Sequence, residues 1–317
     1  MPEIILHHYP RSPYAEKIRL ALGLKGLSYG SVTTPAWMPK PDLMPLTGGY
    51  RRAPVLQVGA DVFCDSALIL HALERLHPSP SLFPAGSRAM AMALGSAIEK
   101  ALFFQAVGLV AGLAGQAYPP DLLADRLACF GFSLEQAAML PQQPLFADRI
   151  NAQLVRLLDM LGDGRPYLLG AAVSAADLSA YHPLWQLRRA GGDAEAARTI
   201  EGLLPPLQRL RPWMERIAAI GHGHPEEMTG AEALAVAAAA APMAPEEAPG
   251  TPGLHGGLLG ETVRVAADDY GRDPVVGRLL AVSNQAIALR RTDPALGEIT
   301  VHFPRVGFDV TADRRPG

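Results

Sequence analysis

The chain has 317 residues and a mass of 33.7 kDa, which corresponds to about two average domains. Apolar residues make up 49% and charged residues 19%, so the chain can bury a large core and global disorder is excluded. The 28 basic and 31 acidic side chains nearly balance, which argues against a dedicated nucleic-acid or anionic-membrane partner.

Several kinds of segment and site are not expected from the sequence. No secretory signal pattern is visible at the start, and the most apolar windows, 101–115 and 231–244, are too short or too interrupted to span a bilayer. Two cysteines cannot form a disulfide framework or a four-cysteine metal site, so no metal is expected. These features predict a soluble, cytoplasmic protein.

Residues 1–84 alternate between strand-like and helical patterns. The predicted elements are a strand at 3–9, a helix from Pro13, a strand at 28–33, a Pro- and Gly-rich loop at 34–52, paired strands at 53–58 and 61–64, and a helix ending near Leu76. This order indicates an α/β unit that contains an antiparallel hairpin.

Residues 85–224 show no strand pattern and predict an all-helical domain. Its expected helices lie at about 87–115, 121–139, 144–162, 175–190, 193–202 and 205–219. Ser174 stands three residues before Asp177 at the start of an apolar helix, which is a capping-box pattern with Asp in place of the usual Glu or Gln.

Residues 225–317 differ in composition from the rest of the chain. They hold eight arginines, no lysine and thirteen carboxylates, a net charge of −5. A short Ala-rich helix at 231–241 and a Pro/Gly-rich linker at 242–257 are expected to precede β-type runs at 261–265, 275–282, 286–290, 299–303 and 307–310. The break predicts a linker and a small β-rich domain that packs on the rest of the protein without completing its active site.

Three short motifs in the first zone could carry chemistry. Ser12 lies where a strand gives way to a helix, and a helix N-terminus stabilises a nearby anion. Ala53-Pro54 opens a strand, where a cis proline would expose neighbouring backbone groups to a peptide-like ligand. Asp65 and Ser66 stand at the next helix start. Taken alone, Ser12 and the Asp65-Ser66 pair are more simply read as helix caps.

Together these motifs make the chain resemble the cytosolic glutathione S-transferase family. The matching stretches run from Tyr9 to Gly26 (YPRSPYAEKIRLALGLKG), from Arg52 to Leu56 (RAPVL) and from Asp65 to Ile69 (DSALI), with PYLLG and SAAD in the helical zone. The resemblance covers about residues 3–220. It implies a thioredoxin-like N-terminal domain and an all-α second domain, here followed by the β-rich C-terminal domain.

The resemblance also implies site residues and a co-substrate, glutathione. The Arg11-Ser12 start of the helix is similar to the serine-type zeta and theta classes, in which this serine stabilises the glutathione thiolate; Tyr9 is the alternative hydroxyl. By the same resemblance Ala53 and Pro54 hold the cysteinyl backbone, Asp65 and Ser66 bind the γ-glutamyl end, and Arg52 pairs with the glycyl carboxylate. The second substrate is then a small apolar electrophile, and the protein is implied to be a homodimer.

Some positions depart from the family patterns. Tyr14 replaces the cysteine of zeta-type members, so a maleylacetoacetate isomerase is not indicated, and Ser12 replaces the catalytic cysteine of omega-type reductases. The loop at 46–50 also lacks the Asn-Pro of many members. The predicted function is a glutathione transferase, and the alternative is a binding or assembly protein that uses the transferase fold without catalysis.

Other candidate residues favour structural interpretations. His222 and His224 lack a nearby cysteine to complete a metal site, and their Gly-rich surroundings indicate a hinge. Cys64 is expected to be a packed thiol. Four aromatic residues could line an apolar pocket, although core packing explains them as well: Trp37, Phe103, Phe104 and Tyr118.

Overall fold

The computed structural model describes residues 4–114, 118–244 and 256–313. The strands are β1 (Ile4–His8), β2 (Ser28–Thr33), β3 (Val55–Val58), β4 (Asp61–Cys64), β5 (His224–Glu227), β6 (Thr262–Ala267), β7 (Val275–Val282), β8 (Ala286–Asp293), β9 (Gly297–Pro304) and β10 (Phe308–Ala312). The helices are α1 (Pro13–Leu24), α2 (Met44–Thr47), α3 (Ser66–Leu76), α4 (Arg88–Leu113), α5 (Pro120–Phe130), α6 (Gln136–Met139), α7 (Gln143–Met160), α8 (Ala175–Arg189), α9 (Ala194–Leu203), α10 (Pro205–Ala218) and α11 (Gly230–Ala239).

The chain divides into two compact units. The first, called here the sheet unit, gathers residues 4–15 and 28–72 with the described residues from 224 onward. The second, the helical unit, gathers residues 16–27 and the described residues of 73–223.

The first four strands of the sheet unit form a thioredoxin-like arrangement in the order β2-β1-β3-β4. β1 runs parallel to β2 and antiparallel to β3, and β3 and β4 form the hairpin expected from the sequence. All residues of β1, β3 and β4 are buried, which explains why these strands are mostly apolar and do not alternate between apolar and polar residues.

The C-terminal strands continue the same sheet on both sides. β9 pairs in parallel with β4, opposing Val301 to Val62, and β5 pairs in parallel with β2. The full order is β10-β6-β7-β8-β9-β4-β3-β1-β2-β5, so both edges of the four-stranded sheet are hydrogen-bonded to residues that follow position 223. An unpaired strand edge is a template for wrong pairing, and here both edges are covered.

Side chains from the two parts of the sheet share one core. A single buried cluster joins Leu43, Leu46 and Tyr50 to Val263, Ile287 and Phe303. The Tyr50 ring contacts Phe303 edge to face, with centroids 5.9 Å apart. At the boundary of the two parts, Asp61 on β4 accepts a bond from His302 Nε2 on β9 at 2.7 Å, and its other oxygen accepts from Met243 N at 2.7 Å.

The helical unit packs around α4, which contacts α7 and α8. α4 is long and apolar enough to cross a membrane by length and composition, and half of its apolar window is buried within the protein. The capping box predicted for α8 is confirmed, because Asp177 accepts bonds from the Ser174 backbone N–H and hydroxyl at 2.9 and 2.8 Å. The remaining Asp177 oxygen accepts from Trp213 Nε1 and Leu168 N.

A buried charged cluster lies inside the helical unit. Lys17 Nζ is 2.7 Å from Glu99 Oε1, and His182 Nε2 lies 3.2 Å from the same oxygen. Burial by itself raises the pKa of Glu99, but Lys17 and His182 outweigh burial and hold that pKa at about 2. Glu99 therefore stays ionised at neutral pH and keeps the cluster paired.

The predicted fold class is confirmed: a thioredoxin-like N-terminal domain, a helical domain and a β-rich C-terminal region. Two short elements were not predicted. β5 (HPEE) is exposed at every residue and lacks an apolar pattern, and α2 is a single turn inside the expected loop. The boundaries 1–84, 85–224 and 225–317 stay a prediction, but the C-terminal strands share their sheet and core with residues 43–64.

Candidate active site

Strand register brings the three predicted motifs to one end of the sheet. His7 near the end of β1 opposes Val55 at the start of β3, and Val55 opposes Cys64 at the end of β4. The segments that follow β1, precede β3 and follow β4 therefore leave the sheet at the same end. These segments carry all the residues predicted to bind glutathione: Tyr9, Ser12, Arg52, Ala53, Pro54, Asp65 and Ser66.

Ser12 is buried directly before the first residue of α1. Its hydroxyl accepts a hydrogen bond from the Ala15 backbone N–H at 3.1 Å, which is the capping contact that the sequence suggests. A serine hydroxyl has one proton to donate and two lone pairs to accept, so this cap uses a lone pair and leaves the proton available. Capping and donation to a ligand sulfur are therefore compatible at Ser12.

Tyr9, the alternative hydroxyl, is half-buried between β1 and α1. Its carbonyl accepts a bond from Ser12 N at 3.1 Å, and the buried Lys40 ammonium lies 5.9 Å from its ring centroid. Lys40 also donates to the Arg51 carbonyl at 2.8 Å. Sequence reasoning missed Lys40, whose only signal is a single lysine between two prolines in the 34–52 loop.

The segment Ala53-Pro54 leads into β3 and has the cis peptide bond considered in the sequence analysis. Pro54 is buried and Ala53 is half-buried. Ala53 precedes β3, so its backbone groups lie outside the β3 ladder. It lies at the same end of the sheet as the other two motifs.

Asp65 and Ser66 form the junction between β4 and α3. Asp65 has a φ of 74°, in the left-handed region, and its Oδ1 accepts a bond from Ala67 N at 2.8 Å. Asp65 is thus the helix cap, and Ser66 is the buried first residue of α3. A left-handed conformation at a residue other than glycine costs about 1–3 kcal/mol and is often found at functional sites.

Arg52 contacts residues from the C-terminal region. Its Nη2 forms an ion pair with Asp269 Oδ1, and its guanidinium carbon lies 3.8 Å from the ring centroid of Tyr270. Burial alone lowers the pKa of Arg52, but Tyr50, Tyr270 and Asp269 outweigh burial and raise it above its usual value. The segment after β6 (residues 268–274) therefore reaches a residue that the sequence assigns to the glutathione site.

Among the described residues, the other candidates from the sequence have structural rather than chemical roles. Cys64 is fully buried, and burial together with the neighbouring Asp65 raises the pKa of its thiol well above the usual value, so it is a packed thiol as expected. His222 Nε2 lies 3.1 Å from Glu16 Oε1. Within residues 4–114, 118–244 and 256–313, no three His, Cys, Asp or Glu side chains come together as metal ligands.

Aromatic side chains gather in the helical unit. Phe104 packs edge to face against Phe103, Phe130 and Phe132, with ring centroids 5.0 to 5.3 Å apart. Phe103 is buried, whereas Phe104 is half-buried. Phe103 is therefore core, as the simpler interpretation holds, and Phe104 joins a local aromatic cluster.

Comparison with known proteins agrees with the fold. Residues 6–81 match the family model of the glutathione S-transferase N-terminal domain, and residues 141–216 match that of the C-terminal domain. Among solved structures, a GST-like protein from Pseudomonas syringae is 36% identical over 98% of this chain and 100% of that chain, with a TM-score of 0.74. The chain belongs to the glutathione S-transferase family.

More distant structures share the fold alone. A glutathione S-transferase of Ceriporiopsis subvermispora, solved in complex with glutathione, is 19% identical over 69% of this chain and 98% of that chain, with a TM-score of 0.53. One from Rhodospirillum rubrum is 22% identical over 68% of this chain and 88% of that chain, with a TM-score of 0.50. No curated protein matches the sequence. The alignment to the Pseudomonas syringae protein covers nearly the whole chain and so extends into the C-terminal region.

Proposed function

We propose that this protein binds glutathione at the end of the sheet where the three motifs meet and activates its thiol for attack on a small apolar electrophile. The observation that carries the proposal is the position of Ser12, buried at the N-terminus of α1 with its hydroxyl proton available. Developing negative charge on a sulfur beside this point would be stabilised by the helix end and by the hydroxyl together.

The required stabilisation is within reach of these groups. Lowering a thiol pKa from about 8.5 to about 6.5 needs about 2.7 kcal/mol of preferential stabilisation of the thiolate. A hydrogen bond to a charged group contributes about 1.5–3 kcal/mol, and a helix N-terminus adds about 0.3–1 kcal/mol. Ser12 therefore does not need to ionise, since donation of its proton to the thiolate is enough.

The other predicted contacts would orient the tripeptide. In this proposal the Ala53 backbone, next to Pro54, holds the cysteinyl residue, while Asp65 binds the γ-glutamyl ammonium and Ser66 binds the carboxylate of that end. Arg52 faces the glycyl end. Contacts at both ends fix the sulfur near Ser12, and orientation of this kind is itself a large part of catalysis.

The proposal also includes the electrophilic substrate, the cellular location and the oligomeric state. Support for an apolar second substrate and for a soluble, cytoplasmic homodimer comes from family membership. Light scattering during size-exclusion chromatography would measure the oligomeric state.

The test is the pKa of bound glutathione in Ser12→Ala and Ser12→Thr variants. Ser12→Ala removes the donor, so we expect the pKa of the bound thiol, measured by thiolate absorbance, to rise by about 1–2 units. Ser12→Thr keeps the hydroxyl and is the matched control. An unchanged pKa in Ser12→Ala would transfer the role to Tyr9, to be checked with Tyr9→Phe.

A conjugation assay with an aryl halide separates catalysis from simple binding. Turnover that falls in Ser12→Ala and is retained in Ser12→Thr supports the transferase. Glutathione binding without turnover in the wild-type protein would instead indicate a ligand carrier, and the absence of both would indicate an assembly protein.

A further inference from the structure

The C-terminal region neutralises the arginine that the sequence assigns to the glycyl end of glutathione. The Arg52 side chain is only 10% exposed, and the Asp269 carboxylate forms an ion pair with its Nη2. Tyr270 lies against the face of the same guanidinium, 3.8 Å from its carbon. Arg52 is therefore held by two neighbouring residues that lie more than two hundred positions later in the chain.

The segment that holds Arg52 is itself ordered by local bonds. Asp269 Oδ1 accepts the Tyr270 backbone N–H at 2.7 Å, which orients the carboxylate. Arg272 Nε donates to the Asp269 carbonyl at 3.2 Å, and its Nη2 donates to the Asp268 carbonyl. On the neighbouring position, Arg51 Nη1 lies 3.9 Å from Asp273 Oδ2. Each of the two arginines thus has a carboxylate beside it.

One donor of Arg52 is left without an acceptor. Its Nε–H is buried and meets no hydrogen-bond partner within residues 4–114, 118–244 and 256–313. A buried donor without an acceptor is unfavourable, so this nitrogen is suited to a ligand oxygen.

The charge around Arg52 determines which kind of oxygen fits. A second carboxylate would bring two negative groups to one guanidinium, and like charges at such distances repel. A neutral carbonyl can accept the Nε–H bond without that repulsion. Free glutathione ends in a carboxylate, whereas a glutathione whose glycine is capped as an amide or ester ends in a neutral carbonyl.

We propose that Asp269 makes this site selective for a glutathione-type thiol whose C-terminal carboxylate is capped as an amide or ester. The proposal rests on the proposed function and refines the role of Arg52 within it. Asp269 acts as a specificity-determining residue through Arg52, and the C-terminal region then contributes to the choice of thiol substrate.

The experiment compares binding of glutathione, glutathione amide and the glycyl monoethyl ester by isothermal titration. We expect the wild-type protein to bind both capped thiols more tightly than glutathione. Asp269→Asn should tighten glutathione binding about fivefold, the size of one charge–charge interaction over about 4 Å in water, and leave the capped thiols unchanged. The matched control is Asp309→Asn, which removes an exposed charge on β10 and should change none of the three.

The outcomes that overturn the proposal are distinct from failure of the proposed function. Binding of free glutathione by the wild-type protein that is as tight as, or tighter than, that of the capped thiols overturns the selectivity, and so does an Asp269→Asn variant whose glutathione affinity does not rise. The wild-type comparison decides the matter even if the variant does not fold. If none of the three thiols binds, the proposed function itself is wrong, and the selectivity falls with it.

Discussion

The two parts of the ten-stranded sheet differ in how their strands are buried. Every residue of β1, β3 and β4 is buried, whereas β6 and β10 alternate between buried and exposed positions, as does the first half of β7. Strands covered on both faces cannot leave a polar side chain in water, so each one must find an internal partner.

The buried strands satisfy that requirement by specific pairs. His7 on β1 bonds Gln57 on β3 at 2.8 Å, and Gln57 donates to the Ala233 carbonyl of α11 at 2.8 Å. Asp61 on β4 is paired with His302 on β9. In both cases the chain of bonds leads to the C-terminal region. The N-terminal strands therefore carry the candidate site at their ends. The C-terminal region supplies hydrogen-bond partners for the polar side chains buried within these strands.

Removing residues 225–317 is the strongest test of this difference. The sequence predicts that truncation leaves glutathione affinity close to wild type, but the structure changes this expectation. Truncation uncovers both edges of the four-stranded sheet, opens the shared core and removes Asp269 from Arg52. We expect the shortened chain to be largely insoluble or to lack a cooperative thermal transition by circular dichroism.

The control for truncation is deletion of residues 314–317, which leaves β1–β10 in place. A shortened chain that is soluble, melts cooperatively and binds glutathione as the full chain does would show that residues 225–317 form a separate domain.

The next largest effect is expected where Asp61 and His302 join the two parts of the sheet. Asp61→Ala leaves the buried His302 and the Met243 N–H without their acceptor, and breaking a buried pair on one side costs about 3–5 kcal/mol. Asp61→Asn keeps an oxygen for Met243 and an amide donor for a neutral His302, so it should cost much less. Urea unfolding of the two variants measures the difference, and equal losses would show that the carboxylate charge of Asp61, rather than its hydrogen bonds, carries the contribution.

Acid should weaken the N-terminal strands through His7. Burial lowers the pKa of His7 from 6.5 to about 4. Between these two pH values the imidazole is protonated in the unfolded chain but neutral in the folded chain. The stability present above pH 6.5 is therefore lost as the pH falls towards 4, by up to about 3 kcal/mol.

His7→Gln isolates this contribution. Gln cannot gain a proton but keeps a donor for Gln57, so the fall in unfolding free energy between pH 7 and pH 4.5 should be smaller than in the wild type. Glu99, whose pKa is about 2, becomes protonated only at lower pH and is common to both proteins. The same fall in both proteins would mean that His7 is not the titrating group.

The smallest effect on stability is expected at the end of the sheet, at Asp65. Asp65→Asn can keep the left-handed backbone and the bond to Ala67 N but loses the charge, so we expect a change in unfolding free energy below about 0.5 kcal/mol. If Asp65 binds the γ-glutamyl ammonium, glutathione affinity should fall about tenfold. Asp65→Ala should weaken glutathione binding and also destabilise the fold. Wild-type glutathione affinity in Asp65→Asn would mean that Asp65 acts only as a helix cap.

Local sequence patterns predict much of the fold. The period-two runs locate β6 to β10, and the Ser174–Asp177 spacing locates the start of α8, because both patterns depend on near neighbours. β5 is different, since its exposed residues HPEE become a strand only through pairing with β2. The pairing of β9 with β4 is likewise a choice of partner across the chain, which no local pattern specifies.

The candidate site also contains residues that local sequence patterns predict and contacts that such patterns do not predict. Ser12, Ala53-Pro54 and Asp65-Ser66 are visible in the sequence because each lies at the junction of two elements with characteristic residues. The contact of Arg52 with Asp269 and Tyr270 joins positions separated by 217 residues, and spacing carries no information over such a distance. The residues that approach Arg52 could therefore be found only from the folded structure.

The late position of β9 has a consequence for synthesis on the ribosome. β4 ends at Cys64, but its sheet neighbour is complete only when Pro304 has been added. At about 5–20 residues per second, the strand edge of the nascent chain waits on the order of tens of seconds for its partner. A ribosome that stalls in this interval releases a chain with a bare strand edge, so every incomplete product carries a surface that the finished protein hides.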